Sequence, residues 1–463
     1  MNLDIGHDVN RIMQYLNLRS ALIVTLIALA PVLGACPDNA DSPPVRVVDE
    51  VDVSTDQDVA SGADTAVDEC ADVLCEACDI KGAPFGGGTG TAGDPWLICT
   101  AAQLNEVGTK AQYMNGAFVL AQDVDLRNLR EVAFVIIGGF GREFIGTFDG
   151  NGKEIRHLKI DEPTTDYVAL FGYIGAKGSV KDLTLVDVNI IGREITGGLV
   201  GITYGTLDNV TVSGKVFSTN YGRAGGLAGH NLGTVRASRS TADMTSEQSE
   251  IGGLVGQNSG VVVDSSATGS VSGDSNVGGL VGSNEGTITD SFALGSVSGV
   301  FAVGGLVGDN GSNGVLSTSY ASATTFATEG AVGGLVGRNS GQVLSSYASG
   351  SVAGGEGYSG GLVGFNSKTI TQSYATVSVS GDFASNAGGL VGGDTMEGET
   401  FHSYWNMEAS GVASSKGGEG LTNAQFADES SFDESWIFCP ATDCLWVMPA
   451  GGPPRLKWVV TGN

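Results

Sequence analysis

The pentamer Gly-Gly-Leu-Val-Gly recurs, once as Gly-Gly-Leu-Ala-Gly, with copies starting at Gly197, Gly225, Gly252, Gly278, Gly304, Gly333, Gly360 and Gly388. Successive starts lie 28, 27, 26, 26, 29, 27 and 28 residues apart, and Ala169-Leu170-Phe171-Gly172 is a weaker match one interval earlier, making nine units. A fixed period of this size marks a stacked repeat architecture. The unit GGLVGRNSGQVLSSYASGSVAG, from Gly333 to Gly354, holds a short apolar run, an Asn/Gly turn at Asn339-Ser340-Gly341, then alternating residues and another Gly. With no helical period, it reads as strand, turn, strand, strand. Such a unit cannot bury its own apolar face, so neighbours must stack. About 27 residues suit one coil of a parallel β-solenoid, and nine coils at roughly 4.8 Å make a rod about 43 Å long. A propeller blade needs about 40 residues or more and fits less well. Leu and Val of each pentamer would form apolar ladders, and the paired Gly residues would permit tight corners and positive φ. The expectation is therefore all-β: a parallel β-solenoid of about nine coils of 26–29 residues, with N- and C-terminal caps.

Composition agrees. The 73 Gly among 463 residues follow no three-residue period, so this is not collagen, and 41% apolar residues suffice for a core. Asp and Glu outnumber Lys and Arg by 51 to 23, a formal charge of −28. Nucleic-acid affinity rests on Lys and Arg neutralising phosphates, so a nucleic-acid partner is excluded.

The termini divide the chain. Residues 21–33 are a thirteen-residue apolar run preceded by Arg11 and Arg19. A span needs about twenty apolar residues, so residues 1–35 read as a signal peptide. The run ends in Leu33-Gly34-Ala35-Cys36, which resembles the bacterial lipobox. That resemblance implies that Cys36 is lipidated and becomes the mature amino terminus, anchoring the protein in the cell envelope, at the outer membrane or cell surface. The alternatives are an ordinary secretory signal with no role for Cys36, and a start at Met13. Residues 37–83 hold 13 Asp or Glu and 2 Lys or Arg, with few large apolar groups to offset ordering entropy, so residues 36–83 are expected to be a disordered tether. Residues 84–168 lack the repeat and are expected to cap the solenoid of residues 169–407. They contain the best helical stretch, Ala102-Gln103-Leu104-Asn105-Glu106-Val107, and a strand-like run at Gly116-Ala117-Phe118-Val119-Leu120. Residues 408–463, with Trp436, Trp446 and Pro454-Arg455-Leu456-Lys457-Trp458, are expected to cap the other end.

Six cysteines remain beyond Cys36: Cys70, Cys75, Cys78, Cys99, Cys439 and Cys444. An even number in an exported chain points to disulfides, with fifteen pairings open. Cys439 and Cys444 are close enough to pair locally, and the other four would pin the first turn of the folded part. The spacing C-x4-C-x2-C with a distant Cys is also that of a plant-type iron–sulfur site, but the signal has no twin-Arg pair for exporting a folded, cluster-loaded protein.

The pattern Gly-Gly-Leu-Val-Gly-x-Asn-x-Gly followed by Ser-Tyr-Ala-x-Gly-x-Val-x-Gly resembles the GLUG motif of bacterial secreted and surface proteins. The flanks Asp94-Pro95-Trp96-Leu97-Ile98-Cys99, Gly146-Thr147-Phe148-Asp149-Gly150-Asn151-Gly152 and Ser403-Tyr404-Trp405-Asn406 resemble what often surrounds that motif, so the likeness covers roughly residues 84–463. It implies a surface-exposed, adhesin-like β-solenoid and brings no general catalytic residues. Two units depart from it: Lys368 stands where the turn Gly belongs, and Asp394 replaces the Asn. Distorted turns are expected there.

Catalytic patterns are weak. His7 lies in the signal, and His157, His230 and His402 stand far apart. No H-E-x-x-H, Walker loop or zinc spacing occurs. Gly357-Tyr358-Ser359-Gly360-Gly361 matches G-x-S-x-G, but a nucleophile elbow needs a strand-to-helix turn. Here Ser359 merely takes the place of Thr196, Ala224, Ile251, Val277 and Val303 in other units. Asp149-Gly150-Asn151-Gly152 resembles half a calcium loop, yet no distal Glu falls in register, so a tight turn is the better reading. Asp123 and Asp125 are two apart on one strand and cannot flank a glycosidic bond from opposite sides. No cofactor or metal is expected.

The informative feature is a column. Phe292, Tyr320, Tyr347, Tyr374 and Tyr404 occupy one equivalent position in five successive units. Ser346, Ala348, Gly350 and Val352 alternate with Tyr347, so if Val352 faces inward the rings face out. That would lay an aromatic stripe along the rod, suited to sugar rings or a protein partner. A structural stack, or a bulge at Gly350 turning the rings inward, is the alternative. Two functions follow: a non-enzymatic surface lipoprotein that binds glycan or matrix, with the membrane as partner through its lipid, or a polysaccharide-active β-helix enzyme (lyase or hydrolase), argued from fold alone.

Overall fold

A computed structural model describes residues 78, 83–129, 132–220, 222–247, 250–381 and 386–461. The signal peptide, Cys36, Cys70, Cys75 and nearly all of the tether lie outside the described residues.

The fold is the expected all-β parallel solenoid, with about ten turns. In the coil that begins at Gly333, Val336–Asn339 forms one strand and Gln342–Leu344 the next. After a corner at Ser345, the chain runs out along Tyr347–Gly360. Each strand pairs in parallel with its equivalents in the coils before and after. Val336 lies opposite Val307 and Val363, and Ala348 opposite Ala321 and Ala375. Strands of the Val336 type build a nine-stranded sheet from Phe171–Ile174 to Val391–Asp394. Leu306, Leu335 and Leu362 are fully buried in the ladder between, each such side chain stabilising the stack by roughly 1.5–3 kcal/mol relative to exposure.

The pentamer glycines are not where the chain turns left-handed. A Cβ on Gly334 would lie 2.2 Å from the carbonyl oxygen of Gly361 in the next coil, so these glycines serve close approach between coils. A separate column of positive-φ residues lies at the corner before the serine: Asp264, Asp290, Thr318, Ser345, Gln372 and His402 all have φ near 50°. Asp and Asn tolerate that conformation at lower cost than other side chains, and every rung must adopt it to stay in register.

Two polar ladders run inside the stack. Asn231, Asn258, Asn284, Asn310 and Asn339 each donate a side-chain N–H to the Oδ1 of the next Asn at 2.8 Å, ending on Asn366, and all are buried. Ser265, Ser291, Ser319, Ser346 and Ser373 likewise accept the backbone N–H of the serine one coil earlier at 3.1–3.2 Å. Asn284→Ala should destabilise the rod by about 1–3 kcal/mol, because the buried Asn258 amide loses its bond to the Asn284 Oδ1 and the buried Asn310 Oδ1 loses its donor; denaturant melts measure this. Of the two departing turns, the one at Lys368 keeps the ladder's path, whereas the ladder stops short of Asp394. Asn366 still bonds Lys368 on both sides, while the Thr369 N–H to Gly341 bond stretches to 3.3 Å against 2.9 Å for Gln342 to Gly314.

Parallel pairing extends into the segment that lacks the repeat. Trp96–Ile98 pairs with Ala117–Leu120, then Thr147–Asp149, then the strand from Ser179, which raises the coil count above nine. Helix Ala101–Val107 begins with a Thr100/Gln103 capping box and buries Leu104 and Val107 at this end. Phe85 packs against Trp96, Tyr113 and Phe118, with ring centroids 5.1–5.4 Å apart. At the far end, Trp405 follows Ala375 in the inward alanine column and lies over Gly389. Residues 412–417 close the last edge: Lys416 N–H bonds the carbonyl of Val391, and Ser415 Oγ accepts from Leu390 and Val391.

Candidate functional site

The aromatic column is a parallel stack. Phe292, Tyr320, Tyr347 and Tyr374 lie with centroids 5.0–5.1 Å apart and planes within 7°. Alternation places them outside the coil. Ala293, Ala321, Ala348 and Ala375 next to them sit in the solenoid core, whereas Tyr347, Tyr374 and Tyr404 belong to a second apolar cluster. That second cluster overturns the expectation of an open stripe. Tyr347, Tyr374 and Tyr404 are 7%, 1% and 4% exposed, because the carboxy-terminal segment doubles back across them. Trp436 and Phe432 pack on Tyr404, Phe426 and Trp446 on Tyr374, and Trp458 reaches Tyr320 and Phe292. Phe292 and Tyr320 stay half-buried at its far margin.

Hydrogen bonds fasten this strap coil by coil. Trp458 Nε1 donates to the Thr318 carbonyl at 2.8 Å, Gln372 Nε2 to that of Ser435 at 2.5 Å, and the Tyr374 hydroxyl to that of Pro454. Asp433 is the hub. Its carboxylate accepts from the Tyr404 hydroxyl at 2.9 Å, lies 2.7 Å from His402 Nδ1 and bonds Ser435. Burial pushes the Tyr404 hydroxyl up to about 12 and raises those of Tyr347 and Tyr374. Burial also works to raise Asp433, but the bonds from Ser435, Tyr404 and His402 outweigh it and hold the carboxyl down at about 2. A depressed carboxyl lends stability above its unfolded value of about 3.9, and loses it as pH falls toward the folded value. The strap should therefore loosen between about pH 4 and pH 2. Tryptophan emission should follow this loosening, with an acid limb that flattens in Asp433→Asn.

The remaining sequence candidates resolve as structure. Cys78 pairs with Cys99, and Cys439 with Cys444; two of the four cysteines with iron–sulfur spacing are thereby consumed. Asp149 is held by Lys181 Nζ at 2.7 Å and by the Asn151 N–H, the geometry of a tight turn. Asp125 binds Arg127 and His157, with the Arg127 guanidinium holding its carboxyl low. Asp123 accepts the Glu154 N–H at 2.9 Å. Ser359 is 1% exposed and its hydroxyl has no hydrogen-bond partner among the described residues, so no base is paired with it there. Sequence reasoning missed both polar ladders and a half-buried His230 and Asp309 on the nine-stranded sheet. Their signal was present in the variable residue before the turn Asn of each unit.

The GLUG motif model matches residues 248–272 and 273–298. Halomucin of Haloquadratum walsbyi is 35% identical over 165 residues, 34% of this chain and 2% of that protein. A provisionally named Gly-rich membrane protein of Evansella cellulosilytica is 37% identical over 141 residues, 28% of this chain and 15% of that protein. The chain thus spans a small part of the curated relatives it matches. A crystal structure from Bacteroides ovatus, provisionally titled an immunoglobulin A1 protease, aligns over 81% of this chain and 96% of its own, with 20% identity and a TM-score of 0.36. The chain carries the GLUG motif, and the same register continues through the coils on either side of the matched residues.

Proposed function

We propose that this chain is a non-enzymatic surface protein that displays its β-solenoid for adhesion to glycan or matrix and is held in the cell envelope by a lipid on Cys36. The observation that carries the reading is the regularity of the rod. Among the described residues, no three His, Cys, Asp or Glu side chains are placed to hold a metal ion, and charged groups pair from coil to coil, as Arg193 with Asp166 and Arg223 with Glu250. Catalysis on a rod needs acids and bases converging where the repeat is broken, and the pentamer keeps its 26–29-residue interval from Gly197 to Gly388. No described helix is long and apolar enough to cross a membrane; in this reading attachment comes from the lipid on Cys36. A relative whose name includes "membrane protein" supports the envelope location.

Cells producing wild-type or Cys36→Ser protein provide the test, scored for lipid label and for adhesion to surfaces coated with glycans or matrix proteins. The expected result is a labelled wild type that adheres and an unlabelled variant that is shed. Equal lipid label in both would sink the anchor, and adhesion no greater than that of cells lacking the protein would sink the adhesive role.

A further inference from the structure

The outer side of the nine-stranded sheet carries a row of side chains that the strap does not cover. The row runs in register from Tyr173 through Ile202, His230 and Gln257, then through Ser283, Asp309 and Arg338 to Phe365. It lies in a trough. At His230 and Phe365 the segment before the pentamer flanks the row, through Arg223 and Tyr358, and at His230 the turn of the next coil flanks it on the other side. His230 shows both walls: its Nδ1 lies 3.4 Å from Arg223 on one side, and its Nε2 lies 3.1 Å from Ser259 Oγ on the other. Desolvation, helped by Arg223, depresses the His230 imidazole to about 4. Desolvation also raises the carboxyl of Asp309, whose buried Oδ1 has no hydrogen-bond partner among the described residues.

Each end of the row has an aromatic pair. Tyr173 stacks on Tyr204 at 5.7 Å with planes 14° apart, and Tyr358 packs on Phe365 at 4.9 Å. Tyr204 and Tyr358 are 43% and 38% exposed. Seven rungs separate Tyr173 from Phe365 in the register, or about 34 Å at roughly 4.8 Å per rung. We infer that this trough binds a linear, neutral glycan along the rod, with its sugar rings against the two aromatic pairs and its hydroxyls on the polar residues between.

Several features favour that ligand. Aromatic faces offer sugar rings apolar area without a charge requirement. The middle of the row offers mixed donors and acceptors, from His230 and Gln257 to Arg338, which suits hydroxyls that both donate and accept. A chain of net charge −28 disfavours a polyanion. The inference deepens the adhesive reading proposed above and rests on it.

The full chain is to be tested by affinity electrophoresis and calorimetry with neutral octasaccharides of the cello, xylo, malto and chito series, and with oligogalacturonate as the polyanion. The variant is Tyr204→Ala with Tyr358→Ala, two partly exposed rings whose loss should leave the melting curve nearly unchanged. One neutral series should bind the wild type, with at least a tenfold loss in the double variant, and Asp309→Asn should weaken binding while preserving the fold. Binding of no neutral octasaccharide, preference for oligogalacturonate, or equal affinity in the double variant would each overturn the trough. Cells that adhere to coated surfaces despite any of these results leave the adhesive role standing without this site. Failure of adhesion itself is read separately in the cell assay.

Discussion

Tyr374→Ala should cost about 3–5 kcal/mol, the range for large aromatic side chains cut back inside a core. Tyr374 is 1% exposed and touches Tyr347, Phe426, Trp436 and Trp446, so its removal leaves a cavity lined by rings that the rigid coil and the strap cannot both close. The loss should appear first as an early change in tryptophan emission, because Trp436 and Trp446 sit on the strap and the strap is the part released. Tyr374→Phe keeps the ring and gives up only the hydroxyl's bond to the Pro454 carbonyl, an effect nearer 1 kcal/mol. Phe292→Ala, at the half-covered margin, should cost clearly less than Tyr374→Ala. If Tyr374→Ala melts within about 0.5 kcal/mol of wild type, as an open surface position would, the strap does not hold this ring.

The coil was legible because a 26–29-residue period leaves few ways to bury Leu and Val. Parity along Ser346, Ala348, Gly350 and Val352 also placed Tyr347 on the outside of its coil. What parity cannot say is whether the outside is solvent. Covering Tyr347 depends on residues 423–461, which share no repeat with it and reach it only through the fold. A trace was nonetheless in the sequence. The position of the column is held by Thr184, Thr211, Arg239 and Ser266 in the four earlier coils. It turns aromatic at Phe292, the first residue within reach of Trp458. The rings thus appear only where the strap lies, as expected of positions chosen to receive another part of the chain. The left-handed corner was hidden for a different reason. Its residues vary from Asp264 to Thr318 to Gln372, since stacking holds each in a conformation that its own side chain does little to encode. Similarly, Asn284 reads as an ordinary turn residue in one unit, and its bonds to Asn258 and Asn310 exist only once the units are superimposed.

The location of the strap makes deletion of a coil depend on which coil is removed. Excising residues 252–277 joins Ile251 to Gly278, positions already equivalent, since Ile251 pairs with Val277 and Gly252 with Gly278. Asn231 then meets Asn284, Ser238 meets Ser291, and every rung beneath the strap is retained. Stability in a stacked array is nearly a sum of local interfaces, so this shorter rod should melt cooperatively, with only a modest loss. Excising residues 333–359 removes as much chain and also rejoins equivalent positions, because Val332 pairs with Ser359 and Gly333 with Gly360. It also takes Tyr347 from the middle of the column. Trp446 loses one of its two column tyrosines, and Trp458 is carried one rung out of step with Thr318 while Asp433 still holds Tyr404. That variant should release the strap, with exposed tryptophans and a separate early transition, although its solenoid remains in register. A cut of thirteen residues inside either coil should be worse than both, since it misaligns every later ladder. The decisive comparison is tryptophan emission and circular dichroism during melting of the two whole-coil deletions side by side. Equal behaviour would mean that the strap is a passenger and that the rod alone carries the fold.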